Sequence, residues 1–458
     1  MIISIIMPGE NRFDSLIDKF GKRLILDIDR LPDYFRDASE IKSRPGAIFF
    51  AESETDVIEA INLCHESGIP IVFRGAGTGY TGGAVPTSGC LVLSLENMKK
   101  LEIDPGKRRA FCGPGLITRD LMDKASENNL YYPPDPASYD ESTLGGNVAE
   151  NAGGLHCKKY GVTKDYIIGL RAVTIEGELL ETGVYSESDL FDITGILIGS
   201  EGLLAAVTEI AVRLIDKPQT GATILSAFYN TEHAARVVSQ VIREGIVPSV
   251  MEYMDGDAVK ASNKYEKTLE IESADAILLF ETSGEKAESQ AARIHEICNE
   301  HKASDLRKED NPEKADSLWK IRRNLSKAVK ASAKEKIAED VCVPPSKLPE
   351  LVSFVAELNK EYPIRVNSYG HAGDGNLHVN FLIEDEVFDS SIIDEGVERL
   401  FQKTLSLGGT LTGEHGIGLT KKKFLPLEFD DFTLNCMKNI KSVFDTNNLL
   451  NPEKMFIE

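Results

Sequence analysis

Cysteine is scarce and scattered in this 458-residue chain: there are seven, Cys64, Cys90, Cys112, Cys157, Cys298, Cys342 and Cys436, and no Cys-x-x-Cys pair. An odd, dispersed set argues against a disulfide framework, a zinc ribbon or an iron–sulfur cluster held by this chain, and suits a reducing cytoplasm. Positive charge is also short. The 51 Lys and Arg face 73 Asp and Glu, a formal net charge of −22. That balance speaks against nucleic acid and anionic membrane surfaces as partners, and it obliges an anionic substrate to find locally placed cations. Long apolar runs are missing too. The opening Met1-Ile-Ile-Ser-Ile-Ile-Met-Pro8 is apolar for only seven residues and lacks a basic flank. It is too short for a signal peptide or a membrane span, and no later stretch reaches spanning length. Any membrane association is therefore expected through a partner. There is no internal repeat and no low-complexity tract. What remains, 42% hydrophobic and 27% charged residues, is ordinary for a soluble globular protein, and the length predicts two or three domains.

Histidine is rare as well, eight in all, yet three gather in two glycine-punctuated segments. These are Gly370-His-Ala-Gly-Asp-Gly-Asn-Leu-His378 and Gly413-Glu-His-Gly-Ile-Gly418. Leu377-His-Val-Asn-Phe-Leu-Ile383 reads as a buried strand, so His371 and His378 sit near one strand end, where Gly373 and Gly375 let the backbone bend. Two histidines plus a carboxylate, here Glu414, are the ligand set of a divalent transition metal with open positions, and the spare imidazole is available as a base. Satisfied polar groups in turns are the alternative. It would win for a lone histidine; three imidazoles and a carboxylate so clustered favour chemistry.

Along the chain, residues 10–45 read as helix and loop. Ala47–Ala51 is a predicted strand, followed by a Ser53-capped helix and a strand at Ile71–Phe73. That β-α-β opening ends in Arg74-Gly-Ala-Gly-Thr-Gly-Tyr-Thr-Gly-Gly83. The loop is no Rossmann motif, because Ala-Val-Pro-Thr-Ser-Gly89 follows where a helix is needed. Its bare backbone N–H groups can still cradle a pyrophosphate, with a structural hairpin as the alternative. Cys90–Leu95 reads as a strand, and Tyr132-Pro-Pro-Asp-Pro-Ala-Ser138 and Thr143-Leu-Gly-Gly-Asn-Val-Ala-Glu-Asn-Ala-Gly-Gly154 follow. Past Lys217 the texture changes. Strands at 222–228, 250–255 and 276–281, with helices at 231–244 and 285–299, predict an antiparallel sheet with helices on one face, a cap over a substrate. Residues 302–316 are charged and read as a flexible loop. The helix from Lys314 carries Leu318-Trp-Lys-Ile-Arg-Arg323. Lys421-Lys-Lys423 reads as a solvated run, with Lys421 facing the site as the alternative.

The Arg74–Gly83 loop, Pro133–Ser138, Gly145–Gly154 and Gly199-Ser-Glu-Gly202, in that order, resemble the flavin-binding domain of the vanillyl-alcohol oxidase type. With the two histidine segments the chain resembles, nearly end to end, the branch holding the glycolate oxidase catalytic subunit, D-lactate dehydrogenase and D-2-hydroxyglutarate dehydrogenase. The resemblance implies an α+β fold: a two-part FAD-binding domain over residues 1–216, an antiparallel-sheet substrate (cap) domain with a metal site over 217–424, and a helical segment over 425–458 returning to the flavin domain. FAD is expected to be non-covalent, its pyrophosphate on the amides of Gly75, Ala76, Gly77, Thr78 and Gly79, with Arg74 at the head of that loop also binding the cofactor. Pro134, Asp135, Ser138, Gly145, Gly146, Asn147, Asn151 and Gly154 are expected to line the channel, continued by Glu201, Gly202 and Ile210.

The same resemblance puts the substrate carboxylate on Arg322, with Ser326 one helical turn later. It implies a divalent metal (zinc, iron(II) or manganese) on His371, His378 and Glu414, His415 as the base, and Asp374 and Asn376 as supporting or turn residues. The relatives that bind D-2-hydroxyglutarate place a lysine near residue 338, where this chain has Ala338 with Lys336 nearby. That departure favours D-lactate, then glycolate, over a dicarboxylate. Electrons are expected to leave through an iron–sulfur subunit, an electron-transfer flavoprotein or a quinone, or to oxygen. Rival readings are D-2-hydroxyglutarate oxidation, an oxidase of another alcohol, and a non-catalytic FAD subunit for electron transfer. The last two should lack the histidine segments.

Overall fold

The computed structural model describes residues 12–187, 192–266, 271, 274–384 and 390–457. The first sheet is built from β1 (Leu24–Ile25), β2 (Ala47–Phe50), β3 (Ile71–Arg74) and β4 (Leu91–Ser94), in the order β1-β2-β4-β3. β4 runs parallel to both neighbours, so β2 and β3 need a crossover. The Glu54–Ser67 helix supplies it. Ser53 accepts the N–H of Asp56 at its start, left-handed Gly68 ends it, and Val57, Ala60, Ile61 and Cys64 bury its inner face. Each fully buried aliphatic side chain of this kind stabilises by about 1.5–3 kcal/mol.

β5 (Leu101–Asp104), β6 (Arg109–Cys112), β7 (Leu130–Tyr131), β8 (Ile167–Val173), β9 (Leu179–Glu181), β10 (Ala206–Arg213) and β11 (Ile215–Asp216) follow. Five of them form an antiparallel sheet in the order β5-β6-β10-β8-β9, and β7 pairs with β11. The chain then builds one seven-stranded antiparallel sheet. Its strands are β12 (Thr220–Phe228), β13 (Val250–Asp255), β14 (Ala276–Ser283), β15 (Asp305–Glu309), β16 (Glu335–Cys342), β17 (Arg365–Gly370) and β18 (Asn376–Ile383). They lie in the order β15-β12-β14-β13-β17-β18-β16.

Helices cover both faces of this sheet, not one as the element order predicts. Ala276, Leu278 and Phe280 pack with the helices Thr231–Arg243, Ala287–Glu300 and Leu348–Glu361. Ile277 and Leu279 pack on the opposite side with the helices Gly256–Tyr265, Pro312–Arg323 and Leu325–Ala331. The reason is legible in β14 itself: Ala-Ile-Leu-Leu-Phe is a continuous apolar run, which demands two covers, where an alternating strand needs one. The charged segment 302–316 is no loop either. Asp305–Glu309 pairs with β12 as an edge strand, where charge is tolerated and guards against further pairing, and Pro312 opens the next helix.

The C-terminal stretch returns to the first sheet. Ile71 N–H donates to Leu449 O at 2.7 Å, and Asn451 N–H donates to Ile71 O at 2.8 Å. Buried Lys441 of the Asp431–Phe444 helix donates to Leu203 O and Leu450 O. Among the described residues no helix is long and apolar enough to cross a membrane.

Candidate active site

A cavity of about 690 Å³ opens between the first half of the chain and the seven-stranded sheet. Its first wall is backbone. The loop after β3 runs along it from Arg74 to Tyr80, and Asp135, Ser138, Gly145, Gly146, Asn147, Glu201 and Gly202 continue it. Gly77 has φ +72°, and a side chain there would collide with the Arg74 guanidinium. A Cβ on Gly75 would collide with Thr143 Oγ1. This is a cradle that any larger residue would fill, and it suits the close approach of a pyrophosphate. Arg74 shapes the cradle: its Nη1 donates to Arg36 O at 2.7 Å, its Nη2 to Asp33 O at 3.1 Å, and it lies over the Tyr34 ring.

Four residues expected along the channel are not part of its lining. Ile210 is a wholly buried core residue of β10, and Pro134, just before Asp135, is buried. Asn151 is the left-handed cap of the Leu144–Glu150 helix and accepts the Lys164 N–H. Gly154 is packed against the Asp135 backbone so tightly that a Cβ would overlap it. These residues shape the wall from behind, which glycine-and-turn motifs do not distinguish from contact with a ligand. Asp135 itself is engaged by the His156 ring at 2.7 Å.

The second wall is made of side chains. β17 and β18 form a hairpin whose turn carries His371, while His378 lies in β18, every residue of which is buried. Glu414 and His415 come from a separate loop. Glu414 Oε1 lies 3.3 Å from His371 Nε2 and 3.6 Å from His378 Nε2. The His378 and His415 rings stack at 5.1 Å, and Tyr80 from the glycine loop lies 4.9 Å from His415. Ligand atoms of His371, His378 and Glu414 all fall within 4.8 Å of one another, and so do those of Asp340, His378 and His415.

Hydrogen bonding separates the two sets. Asp340 Oδ2 already accepts the backbone N–H of Gly413, Glu414 and His415 at 2.9, 2.8 and 2.9 Å, and Asn376 occupies Oδ1 at 2.5 Å. Asp340 is therefore committed to holding the loop. Glu414 keeps acceptor capacity, and the first set is the one chemically free to take a cation. The electrostatics agree. Burial alone would lower the His371 pKa, yet the Glu252 and Glu414 carboxylates raise it well above normal, so negative charge dominates around that imidazole. Burial and then His415 push His378 down to about 3, and burial lowers His415, so both shifts favour the neutral imidazole.

Glu252 and Asp340 are additions to the expected set. Glu252 is fully buried in β13; Oε1 takes His371 Nδ1 at 2.6 Å and Oε2 takes Arg322 Nε at 2.5 Å. Burial opposes its charge, but His371 and Arg322 hold its pKa at about 2. One carboxylate thus orients a candidate ligand and the candidate substrate clamp together. Glu252 stands among apolar residues in Val250-Met-Glu-Tyr-Met254, whereas Asp340 follows Glu339 in a strand of mixed charge that does not single it out. Arg322 ends one helix and Ser326 belongs to the next, since Asn324 separates Pro312–Arg323 from Leu325–Ala331; both residues line the cavity. Lys336 Nζ lies 3.4 Å from Ser326 Oγ and faces Tyr80, and Lys336 and Ala338 both line the cavity. Lys421 is not solvated. It is 1% exposed and donates to Asp340 O and Leu411 O, each at 3.0 Å, while Lys422 and Lys423 take the surface.

Residues 45–183 match the FAD binding domain family, and residues 217–455 match the C-terminal domain of FAD linked oxidases. The chain is 36% identical to the glycolate oxidase subunit GlcD of Bacillus subtilis over 98% of this chain and 95% of that protein. It is 32% identical to a D-lactate dehydrogenase of Anaerostipes hadrus over 96% of this chain and 97% of that one. In fold it is similar to p-cresol methylhydroxylase with substrate bound, at a TM-score of 0.80 and 16% identity over 98% and 97% of the two chains. With the glycine cradle on one wall and the family match spanning both halves, this chain belongs to the FAD-linked oxidases, enzymes that act on their donors through bound FAD.

Proposed function

We propose that this enzyme oxidises a D-2-hydroxy acid, D-lactate before glycolate, to the 2-keto acid. The observation that carries the reading is the meeting, across one cavity, of a backbone cradle with Arg322, His378, Glu414 and His415, with His371 set behind Glu414 within ligand distance of both His378 and Glu414. FAD, held without a covalent bond, supplies the acceptor for the C2 hydride; among the described residues no cysteine lines the cavity. A divalent ion (zinc, iron(II) or manganese) on His371, His378 and Glu414 would supply Lewis acidity toward the substrate hydroxyl.

The chain's own residues do the rest. Arg322, its Nε committed to Glu252, keeps both terminal nitrogens for the substrate carboxylate, and Ser326 lines the same end. His415, neutral and stacked on His378, takes the hydroxyl proton on a ring nitrogen. Asp340 fixes that loop, so the imidazole is aimed before substrate arrives. In this reading residues 1–216 bind FAD, 217–424 form the cap and 425–458 tie back to the flavin side. Electrons leave to an iron–sulfur subunit, an electron-transfer flavoprotein or a quinone. The word subunit in a relative's name supports a protein partner. The enzyme works in the cytoplasm, with any membrane association made through that partner.

Lys336 favours a second reading, D-2-hydroxyglutarate, because an ammonium at the cavity wall can meet a second carboxylate. One experiment tests both. The purified yellow protein is mixed without oxygen with D-lactate, glycolate or D-2-hydroxyglutarate, with and without chelator, and the flavin absorption is followed. Bleaching by one acid, abolished by chelation, supports the reading and names the substrate; no bleaching by any of them sinks it.

A further inference from the structure

Glu150, the last residue of the Leu144–Glu150 helix, lines the cavity, and no hydrogen bond or ion pair reaches it among the described residues. Its Oε2 is enclosed and without a partner. The carboxyl lies between two glycines. A Cβ on Gly83 would stand 3.1 Å from Oε1, and a Cβ on Gly416 would collide with Oε2. The same point at Gly416 is 3.0 Å from Oε1 of Glu201, so the two carboxyls share one niche.

They are not equivalent. Glu201 is saturated by backbone donors: Ile417 N–H at 2.8 Å on Oε1 and Gly418 N–H at 2.7 Å on Oε2. Burial raises its pKa above the usual carboxylate value, and these two N–H groups, Lys421 and Lys454 oppose that rise. Glu150 has none of these partners. Burial, then the charges of Glu201 and Asp37, push its carboxyl well above the usual range. Of two adjacent carboxyls, the one without donors keeps the proton, and a neutral carboxyl has one O–H to give.

We propose that Glu150 is a neutral carboxylic acid that donates its O–H to an acceptor on the isoalloxazine ring of bound FAD, beside the His415 loop. Gly416 follows His415 directly, so the niche belongs to the end of the cavity where the ring must meet the substrate, not to the pyrophosphate end at Gly75–Gly79. The ring carbonyls and nitrogens gain electron density on reduction, so a neutral donor there holds the reduced form more tightly and raises the midpoint potential. No cation or net negative charge is needed at Glu150. The inference rests on FAD binding alone and is independent of which acid is oxidised.

The test compares Glu150→Gln, which keeps a neutral donor, with Glu150→Ala, which removes it, in FAD titration of the apoprotein and in spectroelectrochemistry of the holoenzyme. Glu150→Ala should weaken FAD binding about three- to tenfold, the worth of one hydrogen bond, and lower the midpoint potential. Glu150→Gln should stay within about twofold of the parent in Kd on the same scale. A parent-like Glu150→Ala, or a Glu150→Gln that fails as Ala does, overturns the proposal. Infrared difference spectra on FAD reduction give a check that needs no folded Ala variant. The parent should show a protonated-carboxyl C=O band that shifts on reduction and is missing from Glu150→Gln; its absence from the parent also overturns the proposal.

Discussion

The two walls of the cavity are built on opposite principles. On the flavin side, the cradle is backbone: Gly75 and Gly77 leave N–H groups bare, and two charged residues of that wall, Arg74 and Asp135, are spent on holding neighbours, with Glu150 left as its one proposed side-chain donor. On the cap side, function falls to side chains whose positions are fixed by buried carboxylates, Glu252 under Arg322 and His371, and Asp340 under Glu414 and His415. A backbone wall fails by being filled. A side-chain wall fails by losing a partner.

That contrast predicts which losses stay local. The largest effect is expected on the cap side: His415→Asn should lower turnover by about two to four orders of magnitude while FAD and metal content stay at parent levels. Unchanged kcat with metal intact would remove His415 from its role as base. Asp340→Ala comes next. It strands three part-buried N–H groups, so denaturant unfolding should show a loss of about 3 kcal/mol, with Asp340→Asn milder because it keeps one acceptor oxygen. A parent-like unfolding curve for Asp340→Ala would mean the loop holds itself.

On the flavin side, Gly77→Ala meets both a left-handed φ and the Arg74 guanidinium. FAD affinity should fall by about tenfold or more, the cost of strain near 1–3 kcal/mol, with metal content unchanged. Metal lost together with FAD would show that the walls are not separable. The smallest effect lies at their junction. His156 joins Asp135 at 2.7 Å to Glu281 at 3.3 Å. Burial by itself would lower its pKa, but Asp135 and Glu281 raise it from 6.5 to about 10. A raised imidazolium contributes stability that is fully present below pH 6.5 and is lost as pH rises through about 10. Thermal unfolding should show that decline in the parent and not in His156→Gln; equal slopes would remove the ion pair from the account.

What could be read beforehand follows the same line. The Arg74–Gly83 loop, the β18 strand and the histidine segments are local patterns, legible because turn chemistry and period-two burial are written within a few residues. Glu252 and Asp340 were not legible as partners, since an acid in a strand acquires meaning only when another strand sets a histidine across from it. Lys421 was misread for a related reason: three consecutive lysines look alike in sequence, and only the fold turns one inward to two carbonyls. Residues 302–316 carried too much charge to suggest a strand, because pattern cannot tell an edge from a loop. Asn151, Gly154 and Ile210 sit inside motifs typical of a flavin channel, yet motif membership does not say which residues face the ligand and which brace those that do.

One arrangement joins the walls. The loop from Glu414 to Gly418 is held at its first half by Asp340 and at its second by Glu201, one acid from each side of the cavity. The proposed base and one proposed metal ligand are therefore common property of the two halves. A cap transplanted onto a foreign flavin domain would carry every histidine with it and still misaim them, unless the host also offered an acid where Glu201 stands. Modularity in this architecture stops at that loop.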